Sequence, residues 1–262
     1  MRRIVTLTTD FGTADTFVGV MKGVILSLAP DAVLVDLTHE IPPQDAMAGA
    51  LALESAVEYY PRGTLHVAVV DPGVGTDRLP IAISTERATF VGPDNGIFTL
   101  ALRKTPLRQA VRLSNSTYFR HPVSATFHGR DIFASVAGHL AAGVPFRSLG
   151  DPIDRVVELA LPEPKWKGEE LELRVLWIDR FGNLVTNLDR PTFDRTGLPE
   201  SVTLHAGGLT VHGICRTFGD VGRGEPVAYF GSGGRLEVAV REGSAQEASG
   251  ARRGDCVVLT RS

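Results

Sequence analysis

The chain has 262 residues, of which 43% are hydrophobic and 22% are charged, and its formal net charge is -3. These values are typical of a globular protein with a buried core and give no overall attraction to nucleic acid or anionic lipid. Two cysteines, Cys215 and Cys256, make neither a disulfide framework nor a zinc ribbon. No apolar run approaches the roughly 20 residues that span a bilayer, and no signal-peptide core follows Arg2 and Arg3. We therefore expect a soluble, cytoplasmic protein with no nucleic-acid or membrane partner.

Strand and helix patterns alternate along residues 1–162. A β-branched run predicts a strand over 3–9 that ends before Asp10, and apolar residues at helical spacing predict a helix over 16–29. The elements predicted next are a strand over 32–37, a helix from 45 to 60, strands over 65–70, 81–84 and 89–91, a turn over 92–96 and a helix over 129–142. This alternation predicts an α/β domain with a mostly parallel sheet and helices on both faces. Ligands bind beyond the carboxyl ends of the strands in such sheets, and both Asp10 and Asp71 follow a predicted strand.

The pattern changes near residue 162. Residues 163–170 are rich in proline, glycine and charge and predict a linker. Short alternating strands follow, over 171–178, 184–188, 202–205, 209–214, 227–230, 235–240 and 256–260, with a hairpin turn at Gly207-Gly208. Residues 171–262 therefore predict a small all-β barrel or sandwich domain.

Four segments combine glycine with polar side chains: Thr8–Gly12, Asp71–Arg78, Thr126–Asp131 and Asp179–Asn183. Each of them, taken singly, is explained as a turn or a helix cap. Asp94 and Asn95 also lie in a turn that suits their residue types. Only the order of all four along one chain is specific.

In that order, the segments resemble the S-adenosyl-L-methionine hydroxide adenosyltransferase family, which is related to fluorinase and chlorinase. Further matches extend the resemblance over nearly the whole chain, at Asp15, Lys22-Gly23, 36–41, 92–96, Thr186-Asn187, Ser232, 236–239, Gly243 and Ala245. The resemblance implies an α/β N-terminal domain followed by a β-barrel-like domain. It also implies a homotrimer, with substrate between the N-terminal domain of one subunit and the C-terminal domain of its neighbour.

The activity that the resemblance implies is hydrolysis of S-adenosyl-L-methionine to adenosine and L-methionine, without a cofactor or metal. By motif, the family's catalytic Asp, Arg and His fall on Asp71, Arg78 and His128. Fluorinase-like members lack this set and carry an extra loop for which this chain shows no room, which favours water over halide as the nucleophile. Methionine leaves as a neutral thioether, so the site must activate a water rather than supply an acid. Either Asp71 or His128 is a possible proton acceptor.

Binding roles are also implied by the resemblance. Asp10 would hold the ribose hydroxyls, Asp179 and Asn183 the methionine ammonium and carboxylate, with Ser232 nearby. Phe181 would stack on adenine and Ala245 would offer its backbone to the adenine edge. The full set of expected substrate-binding residues is Asp10, Phe11, Asp94, Asn95, Asp179, Phe181, Asn183, Ser232 and Ala245. Gly243 and Ser244 replace an arginine and an asparagine of fluorinase, so these contacts are expected to differ in detail.

Two other classes of function remain open from the sequence. A metal-dependent phosphohydrolase would use oxygen and nitrogen ligands on the strand-end loops: Asp10, Asp71, His128 and Asp131. A non-catalytic module would bind S-adenosylmethionine or adenosine but would need none of the catalytic set. Metal removal and a turnover assay separate these alternatives from the hydrolase.

Overall fold

The computed structural model describes residues 3–261. The chain divides into two compact units, the first ending at Leu159 and the second beginning at Ala160. Each unit encloses its own cluster of buried hydrophobic side chains.

The first unit is a seven-stranded sheet covered by helices. Its elements are β1 (Ile4–Thr9), α1 (Phe17–Leu28), β2 (Val33–Thr38), α2 (Ala46–Ala56), β3 (Thr64–Val69), β4 (Pro80–Thr85), β5 (Ala88–Pro93), α3 (Thr99–Lys104), β6 (Leu107–Leu113), α4 (Ser135–Ala141) and β7 (Gly150–Ile153). The strand order is β2-β1-β3-β5-β4-β6-β7. The predicted α/β class is confirmed.

The sheet has a parallel half and an antiparallel half. Strands β2, β1, β3 and β5 pair in parallel, whereas β4, β6 and β7 join them antiparallel. Strands β4 and β5 are separated only by Glu86 and Arg87, and so short a connection permits only an antiparallel pair. Strands β6 and β7 and helix α3 are additions to the predicted elements.

Helices cover both faces of the sheet because alternate strand residues point to opposite sides. Val5 and Leu7 of β1 face a core shared with α1 and α4. Thr6 lies between Val5 and Leu7 in the strand and points to the opposite face of the sheet, where its hydroxyl is hydrogen-bonded to His66 of β3. Helices α2 and α3 pack against each other on that face. Asp45 caps α2 by accepting the Ala48 backbone N–H at 2.9 Å, as the sequence predicts.

The second unit is a nearly closed antiparallel barrel. Its elements are β8 (Lys165–Lys167), β9 (Glu170–Ile178), β10 (Leu184–Asp189), α5 (Arg190–Thr196), β11 (Thr203–Ala206), β12 (Leu209–His212), β13 (Pro226–Phe230), β14 (Arg235–Val240), α6 (Ala245–Ser249) and β15 (Cys256–Thr260). The order is β12-β11-β15-β9-β10-β14-β13, and β8 pairs with β9. The predicted small β domain is confirmed, together with its Gly207-Gly208 hairpin.

The second unit differs from the sequence-based expectation in its two short helices, α5 and α6, and in two further segments. The segment predicted as a linker, 163–170, contains β8, which forms a hairpin with β9 through Gly168 at φ +63°. The strand predicted over 209–214 ends at His212, because Gly213 takes φ +79° and leaves the extended region.

Candidate active site

The polar loops that follow parallel strands meet at one edge of the first unit. Asp10 follows β1 and Asp71 follows β3, and these two strands are direct neighbours in the sheet. A cavity of about 600 Å³ opens there and is lined by Asp10, Phe11, Phe17, Pro43, Gln44, Val69, Asp71, Val74, Ser124, Thr126, Phe127, His128, Gly129 and Arg130. Four residues expected at the site from the sequence therefore line one cavity: Asp10, Phe11, Asp71 and His128.

Asp71 and Arg78 form a two-pronged ion pair beside this cavity. Arg78 Nε donates to Asp71 Oδ1 at 2.8 Å, and Arg78 Nη2 donates to Asp71 Oδ2. The two side chains are only 6% and 9% exposed, respectively. A guanidinium matches a carboxylate in this fork geometry, so the pair is both oriented and close to neutral overall.

The loop between the two residues folds tightly enough to bring Arg78 back to Asp71. Val74 N–H donates to the Asp71 carbonyl and Thr76 N–H donates to the Gly73 carbonyl. Gly75 has φ +77°, and a Cβ there would stand 2.8 Å from the Ala125 carbonyl oxygen. A side chain at position 75 would therefore both strain the backbone and push the loop from the 124–127 segment.

His128 completes the cluster from a different part of the chain. Its Nδ1 lies 2.9 Å from Arg78 Nη2. Because a guanidinium only donates, Nδ1 must accept, and the proton of the neutral ring then lies on Nε2. Burial and the Arg78 charge lower the pKa of His128, although the charges of Asp71 and Asp131 oppose them. The ring is therefore neutral near pH 7.

The helix that begins after His128 is held by a fully buried carboxylate. Asp131 accepts from Arg130 Nε at 2.6 Å, from Arg130 Nη2 at 2.8 Å and from the Ser124 backbone N–H at 2.8 Å. Burial raises the pKa of Asp131, but these hydrogen bonds and the arginine charges bring it below its usual value. The first turn, Gly129–Ala134, is a π-helix that continues into α4. Asp131 thus ties the 124–128 segment to this helix.

Aromatic side chains form one wall of the cavity. Phe11, Phe17 and Phe127 meet edge to face, with ring centroids 5.3–6.0 Å apart. Arg130 lies over the Phe127 ring at 5.1 Å. Sequence reasoning missed Phe17, Phe127 and Arg130 as lining residues, although the last two flank His128 in the matched segment. The sequence feature that could have identified Phe127 and Arg130 is their position within two residues of His128.

Asp10 is anchored by the loop that follows β2. Its Oδ2 accepts the Gln44 backbone N–H at 2.8 Å. Gln44 has φ +67°, which a non-glycine residue rarely adopts. One oxygen of Asp10 remains available to a ligand in the cavity.

The side chains of Asp94 and Asn95 form hydrogen bonds to backbone groups of the first unit and do not line the cavity. Asp94 Oδ1 accepts the Val157 N–H at 2.8 Å, and burial raises the pKa of Asp94. Asn95 Nδ2 donates to the Val70 carbonyl at 2.7 Å, and its Oδ1 accepts the Ile97 N–H. Asn95 therefore supports the backbone just before Asp71, and we assign neither residue a direct ligand contact.

The other expected binding residues lie in the second unit. Asp179 Oδ1 accepts the N–H groups of Phe181 and Asn183 at 2.8 and 2.9 Å, and its Oδ2 accepts from Asn183 Nδ2 at 2.8 Å. This tight loop leaves the Phe181 side chain exposed, at 75%. Ser232 is exposed, and Ala245 is buried at the start of α6. Gly182 and Gln246 join the two loops, because Gln246 N–H donates to the Gly182 carbonyl.

Two kinds of feature are absent from the described residues, 3–261. These residues contain no group of three or more His, Cys, Asp or Glu side chains arranged to hold a metal ion. No helix within the same range has both the length and the apolar composition needed to cross a bilayer.

Known proteins resemble this chain over almost its full length. The sequence profile of the SAM hydroxide adenosyltransferase N-terminal domain matches residues 5–150, and that of the C-terminal domain matches residues 173–258. The chain is 45% identical to a protein of Thermus thermophilus named (R)-S-adenosyl-L-methionine hydrolase, covering 94% of each chain. It is 28% identical to a fluorinase of an Actinoplanes species, covering 90% of each. A crystal structure of an uncharacterized conserved protein from Thermotoga maritima superimposes with a TM-score of 0.90 at 34% identity, covering 98% of this chain and 100% of that one. With both domains matched in order, the chain belongs to the SAM hydroxide adenosyltransferase family.

Proposed function

We propose that this protein hydrolyses S-adenosyl-L-methionine to adenosine and L-methionine. The observation that carries the proposal is the hydrogen-bonded cluster of Asp71, Arg78 and His128, two of which line a cavity large enough for a nucleoside. The relative at 45% identity is named for this activity on the (R) epimer, so we extend the proposal to the (R) configuration at sulfur.

The reaction requires a nucleophile rather than an acid. The oxygen of water forms a bond to C5′, the C5′–S bond breaks, and its electron pair goes to sulfur. The sulfonium becomes a neutral thioether and needs no proton. Bulk water has a pKa of about 15.7, so the site must orient one water and receive its proton. Holding two reactants in attack geometry can supply about 7–11 kcal/mol of the barrier reduction.

The hydrogen-bond pattern favours Asp71 as the proton acceptor. Arg78 only donates, and His128 has its Nδ1 occupied by Arg78 and its Nε2 protonated in the neutral ring. Each oxygen of Asp71 receives one N–H from Arg78 and keeps a further lone pair for the water. His128 then serves as a donor and as a fixed partner of Arg78.

This arrangement also reconciles Arg78 with a cationic substrate. Two positive charges in a site of low dielectric constant repel each other. Because Asp71 pairs with Arg78 through both oxygens, the substrate sulfonium meets a pair with little net charge. The nascent hydroxide adds a negative charge between the two cations.

The remaining roles follow the family. Asp10 and Phe11 contact the ribose side of the cavity, and no metal or cofactor takes part. Asp179, Asn183 and Ser232 bind the methionine end, while Phe181 and Ala245 contact adenine. We propose that the protein is a homotrimer whose subunit interface completes the site, and that it works in the cytoplasm. The two free thiols, Cys215 and Cys256, suit a reducing compartment.

A chromatographic assay tests the activity. Purified protein is incubated separately with the (R) and (S) epimers, with and without a chelator, and with chloride in place of other anions. We expect equal amounts of adenosine and methionine, a preference for the (R) epimer and no effect of the chelator. Absence of turnover would indicate a binding module, and loss of turnover with the chelator would indicate a metal enzyme. Formation of 5′-chloro-5′-deoxyadenosine would indicate a member of the family that uses halide.

A mixing experiment tests the shared site. Asp71→Asn and Asp179→Asn subunits are each expected to be inactive alone. If the site combines residues of two subunits, unfolding and refolding them together restores part of the activity, because some interfaces then hold both native residues. Light scattering gives the oligomeric state, and a monomer that retains full activity would contradict the proposal.

A further inference from the structure

Two matched segments of the sequence have no part in the proposed chemistry: Lys22-Gly23 and the segment 36–41. In the structure, their polar side chains form one connected chain of contacts. Lys22 Nζ lies 2.6 Å from Asp36 Oδ2, and His39 Nε2 lies 2.9 Å from Asp36 Oδ1. His39 Nδ1 lies 2.9 Å from Thr9 Oγ1. We call Lys22, Asp36, His39 and Thr9 the anchoring network.

The anchoring network ends on the loop that carries Asp10 and Phe11. Thr9 Oγ1 accepts the Phe11 backbone N–H at 3.2 Å, and the His39 carbonyl accepts the Gly12 N–H at 2.8 Å. Gly12 takes φ +64°, so the chain turns sharply directly after the two cavity-lining residues. Both ends of this turn are therefore held by residues 9 and 39.

Burial makes these contacts obligatory at the inner end. Thr9 is fully buried and His39 is 6% exposed, so water cannot replace either partner. With a proton on Nε2, the nitrogen that lies beside the Asp36 carboxylate, Nδ1 accepts the Thr9 hydroxyl. Thr9 then uses its proton for His39 and a lone pair for Phe11.

We propose that Lys22, Asp36, His39 and Thr9 are positioning residues that hold Asp10 in the orientation needed to bind the ribose hydroxyls of the substrate. None of the four lines the cavity. The proposal rests on the proposed function for the identity of the ligand, but its claim about the 9–12 loop does not.

The chain offers a matched control on the same strand. Thr6 Oγ1 lies 2.7 Å from His66 Nδ1, and both residues are fully buried. Thr6→Val and Thr9→Val therefore make the same chemical change and break the same kind of threonine–histidine contact. Only Thr9 leads to the turn at residues 10–12.

The test measures affinity for adenosine and for 2′,3′-dideoxyadenosine by calorimetry. One hydrogen bond is worth up to about tenfold in affinity, so Thr9→Val is expected to bind adenosine about tenfold more weakly than wild type. It should bind the dideoxy analogue, which offers Asp10 no hydroxyl, within about twofold of wild type. Thr9→Ser restores the hydroxyl and should recover adenosine binding. Thr6→Val should leave both affinities unchanged.

Adding His39→Leu to Thr9→Val should cause no further loss of adenosine affinity, because both substitutions remove the same Thr9–His39 hydrogen bond. Equal weakening toward both ligands, or the same loss of adenosine affinity in Thr6→Val, would overturn the positioning role. Asp36→Asn at a half-exposed position gives a second variant should Thr9→Val fold poorly, and it should show the same selective loss.

Amide hydrogen exchange of the free protein tests the anchoring independently of the ligand. The Phe11 N–H loses its acceptor in Thr9→Val and should exchange faster, while Thr6→Val should leave its rate unchanged. If wild type fails to bind adenosine but Phe11 exchange still responds to Thr9→Val, the proposed function fails and the anchoring of the loop stands. Unchanged Phe11 exchange in Thr9→Val would overturn the anchoring itself.

Discussion

Arg78 is the residue whose replacement tests the proposed cluster most sharply. It donates from Nε and Nη2 to the two oxygens of Asp71, and from Nη2 to His128. Arg78→Lys keeps the positive charge but replaces the planar fork by a single nitrogen. A lysine in this place can keep one of the three contacts, so two are lost.

The magnitude follows from the type of bond. A hydrogen bond to a charged group contributes about 1.5 kcal/mol or more, so two lost bonds remove about 3 kcal/mol. If the cluster acts in the transition state, this corresponds to about a 100-fold lower kcat for S-adenosylmethionine, with a smaller change in KM. The assay is adenosine formation by wild type and Arg78→Lys over a range of substrate concentrations.

Arg87 provides the control, because it also makes three contacts with its guanidinium but stands away from the cavity. It donates to the carbonyls of Val57, Glu58 and Tyr60. Arg87→Lys should lower thermal stability while kcat stays within about twofold of wild type. An Arg78→Lys enzyme with kcat within about twofold of wild type would refute the reasoning.

Three further predictions follow from the same contacts. His128 must be neutral to accept from Arg78, and burial and the Arg78 charge lower its pKa from the ordinary value, so the midpoint of the acid decline in kcat/KM should lie below pH 6.5; a midpoint above pH 6.5 would contradict this. His66 is fully buried and its pKa is lowered to about 4 by burial and the Arg87 charge, so its stabilisation is complete above pH 6.5 and is lost toward pH 4. Urea unfolding at about pH 7.5 and about pH 5 gives the difference in the free energy of unfolding between the two pH values. This difference should be about 2 kcal/mol smaller in His66→Leu than in wild type, and an equal difference in the two proteins would refute the prediction. Gly75→Ala, with its Cβ 2.8 Å from the Ala125 carbonyl oxygen, should lower kcat by about tenfold or more by displacing the Asp71–Arg78 loop, whereas Gly143→Ala, at φ +100° with open space around it, should affect stability only; equal kinetics of the two variants would contradict this.

Asp10 and Asp71, the carboxylates at two strand ends, show what the local sequence pattern can predict about the site. Apolar runs that end at Thr9 and Val70 predict strands, and parallel strands bring their carboxyl ends to one edge. Asp10 and Asp71 each follow a predicted strand, at the edge of the sheet where ligands bind, and both line the cavity. The sequence also predicts the helix after His128 but not its π-helical first turn, because the buried Asp131 on that turn also accepts the Ser124 N–H, and this contact forms only on folding.

Asp94 and Asn95 show what the local sequence pattern cannot predict, namely the partners of their side chains in the folded protein. They stand in a polar turn at the end of β5 and have the same residue types as a binding loop, yet their side chains bond Val157, Ile97 and the Val70 carbonyl. A turn sequence does not say which backbone groups lie opposite it after folding. A buried backbone group requires a partner, and the nearest side chain then loses its freedom to bind a ligand.

The sequence by itself determined the α/β and β-barrel classes, the strand-end position of the cavity and the motif residues Asp71, Arg78 and His128, because periodicity, turn residues and the order of motifs are all properties of the linear chain. Only the tertiary structure decided that Arg78 bonds both Asp71 and His128, that the His128 ring presents Nδ1 to Arg78, and that Thr9 and His39, 30 positions apart, hold the Asp10 loop. The physical reason is that a polar group chooses its partner by distance and burial in the folded protein, where an unmet hydrogen bond is expensive, and neither quantity is encoded in the spacing of residues along the chain.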